Sequence, residues 1–190
     1  RFAAGGPYIT EALPNLITSS AIFDNFDYLV AHEGESALLS ILHQLDDGTS
    51  VQHPNVFSKS SIRHHRGPFH VEDIQALPLQ DFRGFDLDPY RPWEMALPFY
   101  SSKGCTWRRC RFCSLNHFIS YRERDIPSFV AGIVRSIRDT EVDHIHITDE
   151  DIRPARLKML TQELLRQAPC PPRWAIQTRF YPQLDRELLL

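Results

Sequence analysis

The chain has 190 residues, of which 42% are hydrophobic, and this is enough apolar material for one or two small domains. A net charge of −3 gives no reason to expect nucleic acid or an anionic membrane surface as a partner. No apolar run approaches the roughly 18 residues of a membrane span. No signal-peptide pattern is visible at the start, and four cysteines, three of them clustered, do not fit a secreted disulfide framework. We therefore expect a protein of the reducing cytoplasm.

The first part of the chain alternates strand-like and helix-like segments. The predicted elements are, in order, a strand end at 1–6, a helix at 9–23 broken near Pro14, a strand at 26–30 and a helix at 36–45. The strand end enters a Gly5-Gly6 turn, where two glycines permit a positive φ and close backbone approach. This β–α–β–α order favours a parallel sheet in an α/β fold.

The remainder of the chain predicts a connector and a second α/β region. Residues 47–95 are rich in Pro, His, Asp and Arg, with weak periodicity, which is typical of a connector with short hairpin-like pieces. The elements predicted after it are a strand at 96–102, a cysteine-containing loop, a helix at 126–139, a strand at 142–148, a helix at 155–167 and a strand at 173–179. The predicted organisation is thus 1–46, 47–95 and 96–190. Because both ends look like interrupted elements, we expect a fragment of a longer protein.

Three cysteines within nine residues are the feature that points to chemistry. Cys105, Cys110 and Cys113 lie in the segment GCTWRRCRFC. Structural zinc sites normally close with four protein ligands, whereas an iron–sulfur cubane held by three thiolates leaves one iron open for a substrate. Zinc with His117 as the fourth ligand, and plain buried thiols, remain alternatives. We expect Cys170 to be an ordinary thiol outside this site.

The residues around these cysteines resemble the radical S-adenosylmethionine (SAM) enzymes. The motif of that family is most often C-x3-C-x2-C with an aromatic residue before the last cysteine. This chain has C-x4-C-x2-C with Phe112 at the aromatic position. The subgroup that modifies ribosomal peptides has longer insertions, a tryptophan within the insertion and an FCGLN-like continuation. Trp107 and the run Phe112-Cys113-Ser114-Leu115-Asn116 are similar to that pattern.

Further matches extend the resemblance to radical SAM enzymes with an N-terminal cobalamin-binding domain. The matching segments, in chain order, are Gly5-Gly6, Glu33-Gly34-Glu35, Leu77-Pro78, Asp81-Phe82, Tyr90, Tyr121-Arg122, Asp149-Glu150-Asp151, Trp174 and Arg179. The resemblance implies the C-terminal end of a flavodoxin-like (Rossmann-like) cobalamin-binding domain, followed by the first half of a partial (β/α)6, TIM-barrel-like radical SAM barrel. The D-x-H-x-x-G loop of such cobalamin domains has no counterpart in this sequence.

The resemblance also implies roles for individual residues. The three cysteines would hold a [4Fe–4S] cluster whose open iron chelates SAM. Phe112 would pack over the cluster loop and its backbone would meet the SAM adenine, with core packing as the alternative. Asp149 and Glu150 would hold the SAM amino group, and Arg179 would pair with the SAM carboxylate or with an acidic residue of the barrel. Gly5 and Gly6 would approach the nucleotide tail of cobalamin or form only a tight turn.

The implied activity is reductive cleavage of SAM to a 5′-deoxyadenosyl radical, which abstracts hydrogen from a peptide or small-molecule substrate. Bound cobalamin would make methyl transfer the natural outcome. The competing hypothesis is a non-catalytic zinc- or iron–sulfur-binding regulatory remnant. Arg108, Arg109 and Arg111 form a basic patch. This patch would dock a flavodoxin- or ferredoxin-type electron donor; the alternative is that it is only a solvated basic turn. His144 and His146 alternate with isoleucines, so both histidines lie on the same face of the predicted strand. They either face a substrate or are core histidines whose hydrogen bonds are satisfied within the protein.

Overall fold

The computed structural model describes residues 1–19, 21–64, 67–168 and 170–184. The chain divides into two compact units, Arg1–Asp73 and Ile74–Leu190. The boundaries near residues 46 and 95 stay predictions, and residues 185–190, where the sequence predicts an interrupted element, lie outside the described residues. Within the described ranges, no helix is both long enough and apolar enough to cross a lipid bilayer.

The first unit is a small α/β structure around one three-stranded sheet. Its elements are β1 (Ala3–Gly5), α1 (Pro7–Leu16), β2 (Tyr28–Val30), α2 (Glu35–Asp47) and β3 (Val56–Phe57). The parallel pairing of β1 with β2 is as predicted. β3, which falls in the predicted connector, pairs antiparallel with β2. The helix predicted to break near Pro14 continues through it to Leu16, and a separate 3₁₀ turn follows at Ala21–Asp24.

Strand β2 forms the centre of the first unit because both of its faces are covered. Successive side chains of a strand point to opposite faces. Leu29 packs with Ile9 and Leu13 of α1, whereas Val30 packs with Ile41 of α2. The unit therefore has helices on both sides of its sheet, as is usual where parallel strands such as β1 and β2 are buried on both faces.

A buried asparagine attaches the predicted connector to the first unit. The side-chain amide of Asn55 donates to the Glu33 carbonyl at 2.8 Å and to the His70 carbonyl at 3.0 Å, and its oxygen accepts from the His70 amide at 2.8 Å. The Glu33 carboxylate accepts from the Glu72 amide at 2.6 Å. The Glu33-Gly34-Glu35 turn thus serves as an anchor for residues 70–72.

The second unit contains a parallel sheet in the order β4-β7-β8. Its elements are β4 (Leu97–Phe99), β5 (Ser102–Lys103), α3 (Leu115–Phe118), β6 (Arg122–Glu123), α4 (Ile126–Thr140), β7 (His144–Ile147), α5 (Pro154–Gln167) and β8 (Arg173–Ile176). β5 and β6 form a separate antiparallel pair on either side of the cysteine loop. The predicted order of strands and helices is confirmed here, but the strand predicted at 96–102 is divided into β4 and β5 of different sheets, and α3 and β6 are additions.

One face of the parallel sheet carries the core of the second unit. Ile145 and Ile147 are fully buried and pack in one cluster with α4 and α5. His144 and His146 lie on the opposite face and are half-buried. Helix α4 begins at its predicted position because the Asp125 side chain accepts from the Ser128 amide at 3.0 Å and Pro127 occupies the first turn.

A buried arginine joins helix α5 to the chain on either side of the cysteine loop. The Arg156 guanidinium donates to the Ser101 carbonyl at 3.0 Å, the Ser101 hydroxyl at 3.2 Å and the Arg124 carbonyl at 2.9 Å. It also pairs with Glu123 at 3.5 Å. The fork of guanidinium donors suits several acceptors at once.

Replacing this arginine should weaken the fold. We expect Arg156→Leu to lower the free energy of unfolding by about 2–4 kcal/mol, because the Arg124 carbonyl would lose its side-chain donor and the Ser101 carbonyl and the Glu123 carboxylate would each lose one of several donors. Arg166→Leu, on the exposed end of the same helix, should leave stability nearly unchanged. Urea unfolding of both variants is the measurement. Equal losses would show that the buried contacts of Arg156 add nothing to stability.

Candidate functional site

The cysteine loop, residues 104–114, begins with a glycine that no other residue can replace without strain. Gly104 has a φ of +78°, and a side chain there would place its Cβ 3.0 Å from the Ser120 carbonyl oxygen. Positive φ and this close approach both favour glycine. The loop therefore leaves β5 in a defined direction, tight against the backbone that leads into β6.

The three cysteines of the loop are half-buried thiols. The Cys113 amide donates to the Cys110 carbonyl at 3.2 Å, which forms a turn between these two residues. Among the described residues, no three His, Cys, Asp or Glu side chains stand close enough to hold a metal ion. The structure thus places the thiols on one loop without gathering them around one point. Cys170 is an exposed thiol, and the His117 side chain is outside the described part of the chain.

The other side chains of the loop lie mostly on its surface. Phe112 is 93% exposed, so neither packing over the cluster loop nor core packing holds, and the contact of its backbone with SAM adenine stays a prediction. Arg108, Arg109 and Arg111 are exposed, as a docking patch requires. The Arg109 guanidinium lies 5.0 Å from the centre of the Trp107 ring.

Asp149 anchors the turn from which the cysteine loop starts. One oxygen of its carboxylate accepts from the Ser101 amide at 2.6 Å and the Ser102 amide at 3.1 Å, and the other accepts from the two serine hydroxyls at 2.6 and 2.7 Å. The residue is 1% exposed. A buried carboxylate needs such donors to offset its lost hydration. A contact between Asp149 and the SAM amino group stays a prediction, and it would require at least one of these donors to leave.

Glu150 differs from both of its acidic neighbours because its side chain is exposed. None of the described residues donates a hydrogen bond to it. Partial desolvation of its carboxyl and the nearby charge of Asp149 raise the pKa of Glu150. Of the two carboxylates predicted to meet SAM, Glu150 is the one with acceptor oxygens available.

Asp151 binds Arg179 and Tyr181, and it also accepts one hydrogen bond from the cysteine loop. Its carboxylate accepts from the Arg179 Nε at 2.9 Å, the Tyr181 hydroxyl at 2.7 Å and the Thr106 hydroxyl at 3.3 Å. Burial alone would raise the pKa of Asp151, but the hydrogen bonds from Tyr181 and Arg179 outweigh burial and lower it. Arg179 therefore pairs with an acidic residue, which was one of its two predicted partners. A SAM contact of Arg179 stays a prediction.

Sequence reasoning placed Asp151 in the acidic run after β7 without giving it a role, and it did not identify Thr106 or Tyr181 as parts of this site. The acidic run after β7 marked the place, but its spacing does not tell which carboxylate turns inward. Thr106 and Tyr181 carry no pattern that distinguishes them from ordinary loop residues.

Local backbone geometry accounts for both glycines of the Gly5-Gly6 turn in the first unit. A Cβ on Gly5 would lie 3.2 Å from the Val30 carbonyl oxygen, and Gly6 has a φ of +95° directly before α1. The close pairing of β1 with β2 and the entry into the helix therefore both favour glycine. A Cβ on Gly6 would meet open space, and an approach to cobalamin stays a prediction.

Two solved structures of cobalamin-dependent radical SAM enzymes share this fold. One is OxsB, a cobalamin-dependent S-adenosylmethionine radical enzyme with aqua-cobalamin and SAM bound. It matches 97% of this chain and 27% of its own length, with a TM-score of 0.65 and 16% identity. The other is TsrM from Kitasatospora setae, a radical SAM methyltransferase with cobalamin and a [4Fe–4S] cluster bound. It matches 87% of this chain and 34% of its own length, with a TM-score of 0.58 and 16% identity.

The chain thus spans about a third or less of the length of either protein. No protein-family model and no curated protein sequence matches it. At this identity the likeness shows a shared fold. The position of the cysteine loop is known from the contacts described above.

The two neighbouring acidic residues should respond differently to loss of charge. We expect Asp149→Asn to lower the free energy of unfolding by about 2 kcal/mol or more in the absence of any ligand, because the amide cannot accept all four hydrogen bonds. Glu150→Gln should leave stability nearly unchanged. Chemical denaturation of the metal-free protein measures both. A fully stable Asp149→Asn variant would contradict the anchoring role.

Proposed function

We propose that this chain forms part of a cobalamin-dependent radical SAM enzyme. The observation that carries the proposal is the position of the loop with Cys105, Cys110 and Cys113. Its turn is anchored to the carboxyl end of β7, and ligands of open parallel sheets bind at this edge. The shared fold with two enzymes of this kind supports the proposal.

The donor set of the loop fits an iron–sulfur cluster. Three thiolates on one short, half-buried loop are the minimum that holds a cubane and leaves one iron open. When bound, the cluster supplies the electron that cleaves SAM reductively to a 5′-deoxyadenosyl radical. The protein residues bind the cofactors, orient them and exclude water. The alternative of a zinc site would need His117 as its fourth ligand, and that side chain lies outside the described part of the chain.

Glu150 is the proposed acceptor for the SAM amino group. An ammonium group that leaves water needs hydrogen-bond acceptors, and a carboxylate supplies the strongest ones. The oxygens of Glu150 are exposed, whereas those of Asp149 are occupied by Ser101 and Ser102. In this proposal Asp149 acts by fixing the turn, and the exposed Phe112 segment receives the adenine.

The proposed outcome is cobalamin-linked methylation, or another radical modification, of a peptide or small molecule. Gly5 and Gly6 would let the first unit approach the nucleotide tail of cobalamin, since neither carries a side chain that would intervene. A reducing compartment such as the cytoplasm would keep the thiols available.

Each cysteine of the loop should be indispensable for the cluster. We expect Cys105→Ala, Cys110→Ala and Cys113→Ala each to abolish both iron–sulfur incorporation and SAM cleavage, because two thiolates cannot hold the cubane. Cys170→Ala, outside the loop, is the matched control and should retain both. Iron and sulfide content after anaerobic reconstitution, with 5′-deoxyadenosine formation, is the measurement. A loop variant with full iron and full cleavage would remove that cysteine from the ligand set, and a colourless protein with bound zinc would favour a regulatory remnant.

We also propose that the basic patch of Arg108, Arg109 and Arg111 docks an acidic flavodoxin- or ferredoxin-type electron donor. All three side chains are exposed beside the cysteines. Charge complementarity of this kind accelerates association and weakens with added salt.

Charge reversal in this patch should therefore affect the electron source selectively. We expect Arg108→Glu and Arg111→Glu to slow SAM cleavage driven by flavodoxin, with a loss that shrinks at high salt, and to leave cleavage driven by dithionite intact. Arg173→Glu, which is equally exposed at the start of β8, serves as the control. Equal losses with both reductants would indicate damage to the cluster and refute docking.

A further inference from the structure

Two aspartate–arginine pairs join strands β7 and β8, one at each end. At the start of the strands, Asp143 and Arg173 form an exposed pair at 3.5 Å. At the end of the strands, Asp151 and Arg179 form a pair at 2.9 Å in which the aspartate side chain is 1% exposed. The two pairs have the same chemistry but different surroundings, since the second also touches the cysteine loop.

Asp151 and Arg179 contact Thr106 and Trp107, the two loop residues that directly follow Cys105. The Thr106 hydroxyl donates to Asp151 at 3.3 Å, and the Arg179 guanidinium lies 4.2 Å from the centre of the Trp107 ring. Because Arg109 lies over the same ring, the indole contacts two guanidinium groups. Tyr181 supports Arg179, which donates to its hydroxyl and lies 4.7 Å from its ring.

Trp107 makes these contacts outside the apolar core. Its side chain is 41% exposed, and it takes no part in the buried cluster of the second unit. A tryptophan that served only to stabilise the fold would bury its ring among apolar side chains, where most of its stabilising contribution arises. The position of Trp107 instead restrains the segment between Cys105 and Cys110.

We propose that Asp151, Arg179 and Trp107 are positioning residues that form a clamp on the four-residue segment between Cys105 and Cys110. The clamp fixes the direction in which the chain leaves Cys105. The Cys105 thiol can therefore face the cluster although four residues, and not the usual three, separate it from Cys110. This inference deepens the proposed function, on which its consequence for the cluster rests. The restraint of the loop itself does not depend on any cofactor.

Loss of the clamp should first appear as opening of the loop in the metal-free protein. Arg108, Arg109 and Arg111 provide trypsin sites within the loop, and Arg135 and Arg138 provide sites within α4. In Asp151→Asn, cleavage at the loop sites should accelerate about tenfold, because an uncharged amide holds Arg179, Tyr181 and Thr106 less strongly than the carboxylate, with cleavage in α4 unchanged. Asp143→Asn is the matched control and should leave both rates unaltered.

A second pair of variants separates the clamp from general stability. Trp107→Ala should open the loop as Asp151→Asn does, whereas Trp107→Phe keeps an aromatic face for Arg179 and should restore most of the protection. Unchanged cleavage in the loop, or equal acceleration in the loop and in α4, would overturn the clamp. Failure of phenylalanine to restore more protection than alanine would overturn the stacking contact as its basis.

The consequence for the cluster is tested on reconstituted protein. We expect Asp151→Asn and Trp107→Ala to alter the electron paramagnetic resonance spectrum of the reduced cluster and to accelerate iron loss to a chelator several-fold, with Asp143→Asn and Trp107→Phe close to wild type. Identical spectra and rates in all variants would overturn the positioning role. A wild-type protein that takes up no iron would overturn the proposed function, and the trypsin experiment would still decide whether the clamp exists.

Discussion

The hydrogen bonds between Asp149 and the serine pair Ser101 and Ser102 determine where the cysteine loop begins. The carboxylate follows β7, and the serines follow β4, so these contacts hold the ends of two parallel strands together. Arg156 reaches the same turn from α5 through the carbonyl and the hydroxyl of Ser101. Because the turn is held from two sides, Gly104 starts the loop from a backbone that has little freedom to move.

The three consecutive acidic residues after β7 have separate tasks. Asp149 holds the strand ends, Asp151 holds Arg179 and the first part of the loop, and Glu150, which lies between them, is exposed. Two buried carboxylates with full sets of donors provide a rigid support. The exposed one remains able to accept hydrogen bonds from a ligand. In the proposed function, support and ligand binding are thus divided among neighbours in the chain.

Sequence periodicity predicted most of the regular structure, since a buried parallel sheet with covering helices leaves a strong pattern of apolar residues. Helices α4 and α5 and strands β7 and β8 fall where that pattern places them. β3 was not predicted, because a two-residue strand in a proline-rich segment has no periodicity to detect. The cysteine spacing marked the site itself. The contacts of Asp149 and Asp151 could not be predicted, because a carboxylate after a buried strand can turn toward backbone amides or toward solvent with the same local sequence.

The central claim is that the loop with Cys105, Cys110 and Cys113 holds a cluster with one iron open to SAM. Mössbauer spectroscopy of protein reconstituted with ⁵⁷Fe, recorded before and after addition of SAM, tests it most directly. The account predicts a four-iron cluster in which SAM changes the signal of a single iron, as three thiolate ligands require. A cluster whose irons all ignore SAM, or a protein that binds zinc in place of iron, would contradict it.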